Sequence, residues 1–262
     1  VSDADGRAPL RSVSDDLLLQ ATAFADAVSA PAAGDDLSAP VATCPGWTVH
    51  DLARHLGRVH RRVAATIETG AERMVDRDAE VPDGEPPQGR DEVATWLLQG
   101  ASRLVATLEG ADPAREVGGF VGPVTVAFWR RRQLHETLVH RLDAELAVGL
   151  PPLPDVAPGL AADGVAEWYD LITWFRAGSR RLRGEGGTVH LHCTDADDGE
   201  WLIRRGPDGV AITREHAKAD VAVRGRAADL LAVVTGRAGL EGVEVFGDPA
   251  LAEDWFRVSA MA

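Results

Sequence analysis

Between Gly149 and Gly159 the chain reads GLPPLPDVAPG, and the hydrophobic period differs on its two sides. Each proline there fixes φ and removes a backbone donor, so neither a helix nor a strand can run through the stretch. Before it, apolar residues recur at helical spacing. Beyond it, after one further helical segment, they alternate in short runs. A chain whose period changes across a proline-rich connector must bury two separate apolar surfaces. This predicts a helical domain over residues 1–150 and an α+β domain over residues 159–262.

In the first part, Leu17, Ala21, Phe24 and Val28 follow Ser14 and two aspartates that mark a helix start. The link PAAGDDLSAPVATCPGW ends in Thr48, and Asp51 three residues later makes a capping box for a second helix. Its apolar row is Leu52, Leu56, Val59, Val63 and Ile67, with Arg54, Arg58, Arg61 and Arg62 mostly pointing elsewhere, and Gly70 ends it. The segment AERMVDRDAEVPDGEPPQGR reads as a long exposed loop. A third helix carries Val93, Trp96, Leu97, Ala101, Leu104, Val105 and Leu108, and a fourth runs from near Pro123 to Ala147. Four helices of this length predict a four-helix bundle. In the second part, Val165, Trp168, Tyr169, Ile172 and Phe175 predict a helix. TVHLHCT, EWLIRR, GVAITRE and ADVAVRG predict an antiparallel sheet, and AADLLAVVTG and DPALAEDWFRVSA two closing helices.

A net charge of −14 works against a nucleic-acid backbone or an anionic membrane as partner, which leaves a small molecule or another protein. No run reaches the length of a membrane span, and the first residues have no leader pattern, so a cytoplasmic protein is expected. Cys44 and Cys193 are the only cysteines and suit a reducing compartment.

His55 lies three residues after Leu52 and four before Val59, which puts it on the inner face of the second helix. Glu136 and His140 are four apart and stack on one side of the fourth helix with Val139, Asp143 and Ala147. If that side turns inward, two imidazoles and a carboxylate converge between helices. Such a set suits zinc or a similar divalent ion and leaves a coordination position open. Leu134, Leu138 and Leu142 form a competing apolar row, so a solvated Glu136–His140 face fits the pattern as well. A lone histidine on an apolar face is also more often a hydrogen-bonded core residue than a ligand. Periodicity leaves both readings open.

Other candidates are weaker. HETLVH has one residue too many for the HExxH metalloprotease helix, so His135 and His140 fall on different faces. His190 and His192 share one face of a strand and could bind a metal, but surface or core roles are favoured. Cys44 is expected to pack, Arg130, Arg131 and Arg132 to form a solvated face, and the tryptophans to sit in the core.

CPGWTVHDLARHLG, then HETLVHRLDAE, then the proline-rich linker and a small α+β domain together resemble the mycothiol-dependent maleylpyruvate isomerase family over nearly the whole chain. The resemblance implies a DinB-like four-helix metal-binding bundle followed by a sterol-carrier-like α+β module. It implies a divalent metal, usually zinc, held by His55, Glu136 and His140, with mycothiol as thiol cosubstrate. It also implies an arginine of the second domain reaching the site: Arg237 in VVTGRAGLEG is the nearest match, with Arg224 and Arg226 as alternatives.

Two neutral imidazoles and one carboxylate leave a dipositive ion with a net charge near +1, so a bound thiolate neutralises it and the thiol stays ionised near neutral pH. The thiolate can add to an activated carbon–carbon double bond, allow rotation and leave, which is isomerisation, or it can stay, which is S-transfer. A metal-dependent hydrolase with water in the open position is a second class, and a non-catalytic ligand-binding protein a third. A thiol requirement separates the first from the second. Lack of metal would favour the third.

Overall fold

In the computed structural model, which describes residues 12–76, 81–176 and 179–260, helix α1 (Val13–Ser29) begins at a capping box between Ser12 and Asp15. The start therefore lies two residues before the expected Ser14. Ser12 accepts from the Asp15 N–H while Asp15 accepts from the Ser12 N–H, and Ser14 is left buried inside the first turn. The leader reading of the first residues, and residues 77–80 of the expected loop, lie outside the described residues. Helix α2 (Val49–Thr69) starts at the Thr48–Asp51 box and stops at Gly70, whose φ of 64° is left-handed. Helix α3 is Arg90–Gly110.

The fourth helix does not begin at Pro123. Strands β1 (Glu116–Gly118) and β2 (Pro123–Thr125) pair first as a hairpin, closed by the Gly119 N–H on the Gly122 carbonyl. Thr125 then caps helix α4 (Val126–Ala147) by accepting from the Phe128 N–H. Helix α1 packs on α3 and α4, and α2 on α3 and α4. Both sides of α4 are enclosed as a result: Leu134, Leu138 and Leu142 are buried, and so are Trp129, Val139 and Asp143 on the side of Glu136 and His140.

The chain divides into one compact unit up to Leu150 and another from Pro151. Within the connector, Leu153 and Val156 are buried, so it is not exposed throughout. The second unit opens with helix α5 (Pro158–Arg176), on which Val165, Trp168, Tyr169 and Ile172 are buried. Phe175 is not in the core as its spacing predicts. It is exposed and stacks on Trp174, beyond the buried stretch of the helix. Strands β3 (Thr188–Cys193), β4 (Glu200–Gly206), β5 (Gly209–Thr213), β6 (Val221–Gly225) and β7 (Glu244–Gly247) form one sheet in the order β5-β4-β3-β6-β7. The sheet is mixed rather than antiparallel. After the β3-β4-β5 meander the chain crosses back to the free edge of β3, and β6 joins it parallel. The strand β7, unmarked by any alternating run in the sequence reading, pairs antiparallel with β6. Helices α6 (Ala227–Val234) and α7 (Pro249–Ser259) lie against β3 and β6, over a face built from Val189, Leu191, Ile203, Val221 and Val223.

One contact in the bundle depends on the absence of a side chain. A Cβ on Gly57 would sit 2.1 Å from the Trp96 ring. Arg61, expected to point away from the core, is buried instead, with its guanidinium 4.1 Å from the centre of that ring and donating to the carbonyls of Gly57 and Trp96. Burial pulls its pKa down to about 10, which still leaves it charged at neutral pH. Gly57→Ala should therefore destabilise the protein by about 1–3 kcal/mol in chemical denaturation, because a methyl group displaces a fixed ring rather than filling space. An unchanged midpoint would show that α2 and α3 can separate freely.

Candidate metal centre

The site is prepared by a turn. In CPGW, the Trp47 N–H donates to the Cys44 carbonyl at 3.0 Å, Pro45 occupies the second position, and Gly46 takes the φ of 86° that the third position of a type II turn requires. The turn sits just ahead of α2. It brings the Trp47 ring to 5.0 Å from the ring of His55, and the Cys44 sulfur to 3.6 Å from Asp143 Oδ2 on α4.

His55 and Glu136 face each other across α2 and α4, with Nε2 of His55 3.3 Å from Oε1 of Glu136. His140, one turn beyond Glu136, directs its Nε2 to the same oxygen, also at 3.3 Å. The two imidazole rings stand edge to face, 5.0 Å apart. The second polar atoms of Glu136 and His140 are taken by neighbours: Arg132 Nη2 donates to Glu136 Oε2, and His140 Nδ1 donates to Asp143 Oδ2 at 2.9 Å. One oxygen and two nitrogens are thus left converging. Donors bound to one tetrahedral ion at about 2.1 Å stand about 3.4 Å apart; both distances to Glu136 Oε1 match this, and all three donors lie within 4.8 Å of one another. The histidine–carboxylate pair behind it is the arrangement that orients a ligating imidazole.

Electrostatics follow from these contacts. Burial pushes the Glu136 carboxyl upward, but the charge of Arg132 and the hydrogen bonds of His140 and His55 outweigh it and hold the group well below the usual carboxylate range. Burial pulls His140 down, while Asp143 and Glu136 overcome it and raise its pKa to about 9. His140 therefore carries a proton at neutral pH when no ion competes for it.

His55 differs from its expected position in degree. Its side chain is 28% exposed, at the edge of the inner face. The fully enclosed histidine of α2 is His60, whose Nε2 lies 2.9 Å from Thr137 Oγ1 and whose pKa burial lowers to about 3, so it stays neutral. The arginine run is not a solvated face: Arg132 is buried against Glu136, and Arg130 donates to the Leu108 carbonyl at 2.7 Å. Its signal was the four-residue spacing from Arg132 to Glu136, which places the two side chains together on a helix. Trp47 borders the site and Trp174 is exposed, against expectation, whereas Trp96, Trp129, Trp168, Trp201 and Trp255 are core residues as expected. Arg237 belongs to the second unit, just past α6, where its Nη1 donates to the Thr235 carbonyl. Arg224 and Arg226, in the same unit, approach Glu244 and Asp195 at 3.7 Å.

Comparison with known proteins follows the division into two units. The chain is similar to the crystal structure of a mycothiol-dependent maleylpyruvate isomerase at a TM-score of 0.57 and 19% identity, covering 90% of this chain and 93% of that one. A histidine-to-alanine mutant of such an isomerase gives 0.58 and 17% over the same shares. At that identity the likeness is one of fold. No curated protein matches the chain in sequence. Family models add what the superposition does not: residues 17–145 match the mycothiol maleylpyruvate isomerase N-terminal domain and residues 159–254 match the C-terminal domain of the same family. With one model on each unit, in chain order and together spanning most of the sequence, the chain belongs to the mycothiol-dependent maleylpyruvate isomerase family.

Proposed function

We propose that this protein is a metal- and mycothiol-dependent isomerase acting on maleylpyruvate or a related unsaturated acid, with His55, Glu136 and His140 holding zinc. The observation that carries the reading is the division of labour at the site. Arg132 occupies one oxygen of Glu136 and Asp143 one nitrogen of His140, so three donor atoms remain and face one another. A divalent ion held there supplies the positive charge that keeps a low-molecular-weight thiol ionised at neutral pH, with a coordination position to spare.

The chain's own groups set the charge around it. Without the ion, Arg132 and protonated His140 balance Glu136 and Asp143. With the ion in place and the His140 proton gone, the group has one net positive charge, which a single thiolate neutralises. Cys44 is not needed as nucleophile, and its contact with the Asp143 carboxylate gives no help to a thiolate. An external thiolate that adds to the double bond, allows rotation and is expelled regenerates both thiol and bond, which is isomerisation. Retention of the thiol would be S-transfer. Arg237 is the proposed partner of a substrate carboxylate, since Arg132 is committed to Glu136. A cytoplasmic location goes with this reading, because thiols are kept reduced there.

Metal binding tests the ligands. His55→Ala and His140→Ala should each weaken zinc binding at the bundle by more than about tenfold, while Cys44→Ser leaves it unchanged. Equal affinity in all three would remove the assignment. Since zinc must displace the His140 proton, calorimetry in buffers of different ionisation enthalpy should report about one proton released per bundle ion at neutral pH. The apparent affinity should rise about tenfold per pH unit until it levels near the His140 pKa of about 9. A flat profile would contradict the charge assignment.

Activity tests the reaction. Chelated protein should be inactive, zinc should restore it, and cis-to-trans product should appear only with mycothiol and without net thiol consumption. Accumulated conjugate would make the enzyme a transferase, and turnover of an ester by water without thiol a hydrolase. Arg237→Ala should keep its zinc and lose at least about tenfold in kcat/KM. Unchanged kcat/KM would remove Arg237 from the site.

A further inference from the structure

The face of the sheet turned away from α6 and α7 carries a second group of imidazoles. His190 and His192 are two apart on β3, and Glu200 on β4 stands in register with His192, so all three project from one face. Leu191 and its partner Trp201 project from the other, into the core. The connection from β5 to β6, residues 214–220, contains no helix or strand. It brings His216 Nδ1 to 2.6 Å from Glu200 Oε2.

His190 Nε2 lies 3.0 Å from the same oxygen, and His192 Nδ1 3.9 Å from it. The three rings stand edge-on to one another, with centroids 5.6 Å apart for His190 and His216, 6.2 Å for His190 and His192, and 6.3 Å for His192 and His216. His190 is only 5% exposed, so its approach to Glu200 is made largely out of water. Imidazoles from a strand and from a loop that converge on one carboxylate oxygen supply the donor types of an imidazole–carboxylate metal site.

We propose that His190, Glu200 and His216 form a second divalent-cation site, confined to the C-terminal unit, for zinc or another ion that favours imidazole. The three donor atoms lie within 4.8 Å of one another, and His192 stands beside them as a further imidazole. Two imidazoles and a carboxylate again leave a position open for a fourth donor. Arg224, in register with His192 on β6, is the nearest competing cation by strand pairing, and it is directed at Glu244. The ion would tie the β5–β6 crossover to the sheet. Parallel strands are ordinarily joined by a dozen or more residues, usually a helix, and the crossover from β5 to β6 has neither.

The test is a zinc titration of the chelator-stripped full-length protein against a chromophoric competitor. Wild type should bind two ions. His216→Ala and Glu200→Gln should each weaken one of them by more than about tenfold, and His216, with a side chain 78% exposed, can be replaced without disturbing the core. His55→Ala should affect the other ion, so failure of the bundle assignment and failure of this one are told apart by which variant loses its ion. In the His55→Ala, His140→Ala double variant, zinc should still raise the unfolding midpoint, and adding His216→Ala should abolish that rise. Equal zinc stoichiometry and affinity in wild type, His216→Ala and Glu200→Gln would overturn the proposal.

Discussion

The bundle site depends on how one carboxylate is shared. Glu136 gives Oε2 to Arg132 and keeps Oε1 toward His55 and His140. Without Arg132 the carboxylate would be an enclosed anion free to rotate between the two imidazoles, and the direction of its second oxygen would be undefined. Burying an ion without partners is expensive, whereas a pair with its hydrogen bonds satisfied can be tolerated inside a bundle. The same logic holds His140, whose ring is fixed by Asp143 on one side so that the other nitrogen has a single direction. Preorganisation of this kind lets three donors from two helices converge without a loop between them.

The surrounding structure supports that arrangement through elements with ordinary physical causes. The type II turn of CPGW delivers Trp47 onto the exposed edge of His55, which limits the motion of the imidazole that has no carboxylate behind it. The close contact of Gly57 with Trp96 sets how α2 lies on α3, and Arg61 fills the polar requirement of that interface. The buried His60–Thr137 bond ties α2 to α4 one turn beyond the site. These contacts make the distance between His55 and Glu136 a property of the bundle packing rather than of the two side chains alone.

Much of this was legible in the residues, and the exceptions have identifiable reasons. The Thr48–Asp51 box, the stop at Gly70 and the shared face of Glu136 and His140 follow from local rules and stand in the structure as read. Whether that face turns inward was open, because α4 carries apolar residues on both sides and only its packing between α1 and α2 decides. Three consecutive arginines look like a surface run, and the spacing from Arg132 to Glu136 speaks only once that side is known to be enclosed. The hairpin at residues 116–125 is too short to show a period. The parallel pairing of β3 with β6 is a choice of sheet edge that alternation does not encode. His216 and Glu200 lie sixteen residues apart on different segments, and nothing in the sequence brings them together before the sheet is formed.

The central claim is that the bundle holds an ion through His55, Glu136 and His140 and presents it to an external thiol. X-ray absorption at the zinc edge tests it most directly, on His216→Ala protein carrying one equivalent of zinc so that the bundle alone is loaded. Nitrogen and oxygen scatterers at about 2.0–2.2 Å should be joined, on addition of mycothiol, by one sulfur at about 2.3 Å. A spectrum that gains no sulfur, or that is unchanged when His55 and His140 are both replaced by alanine, would contradict the account.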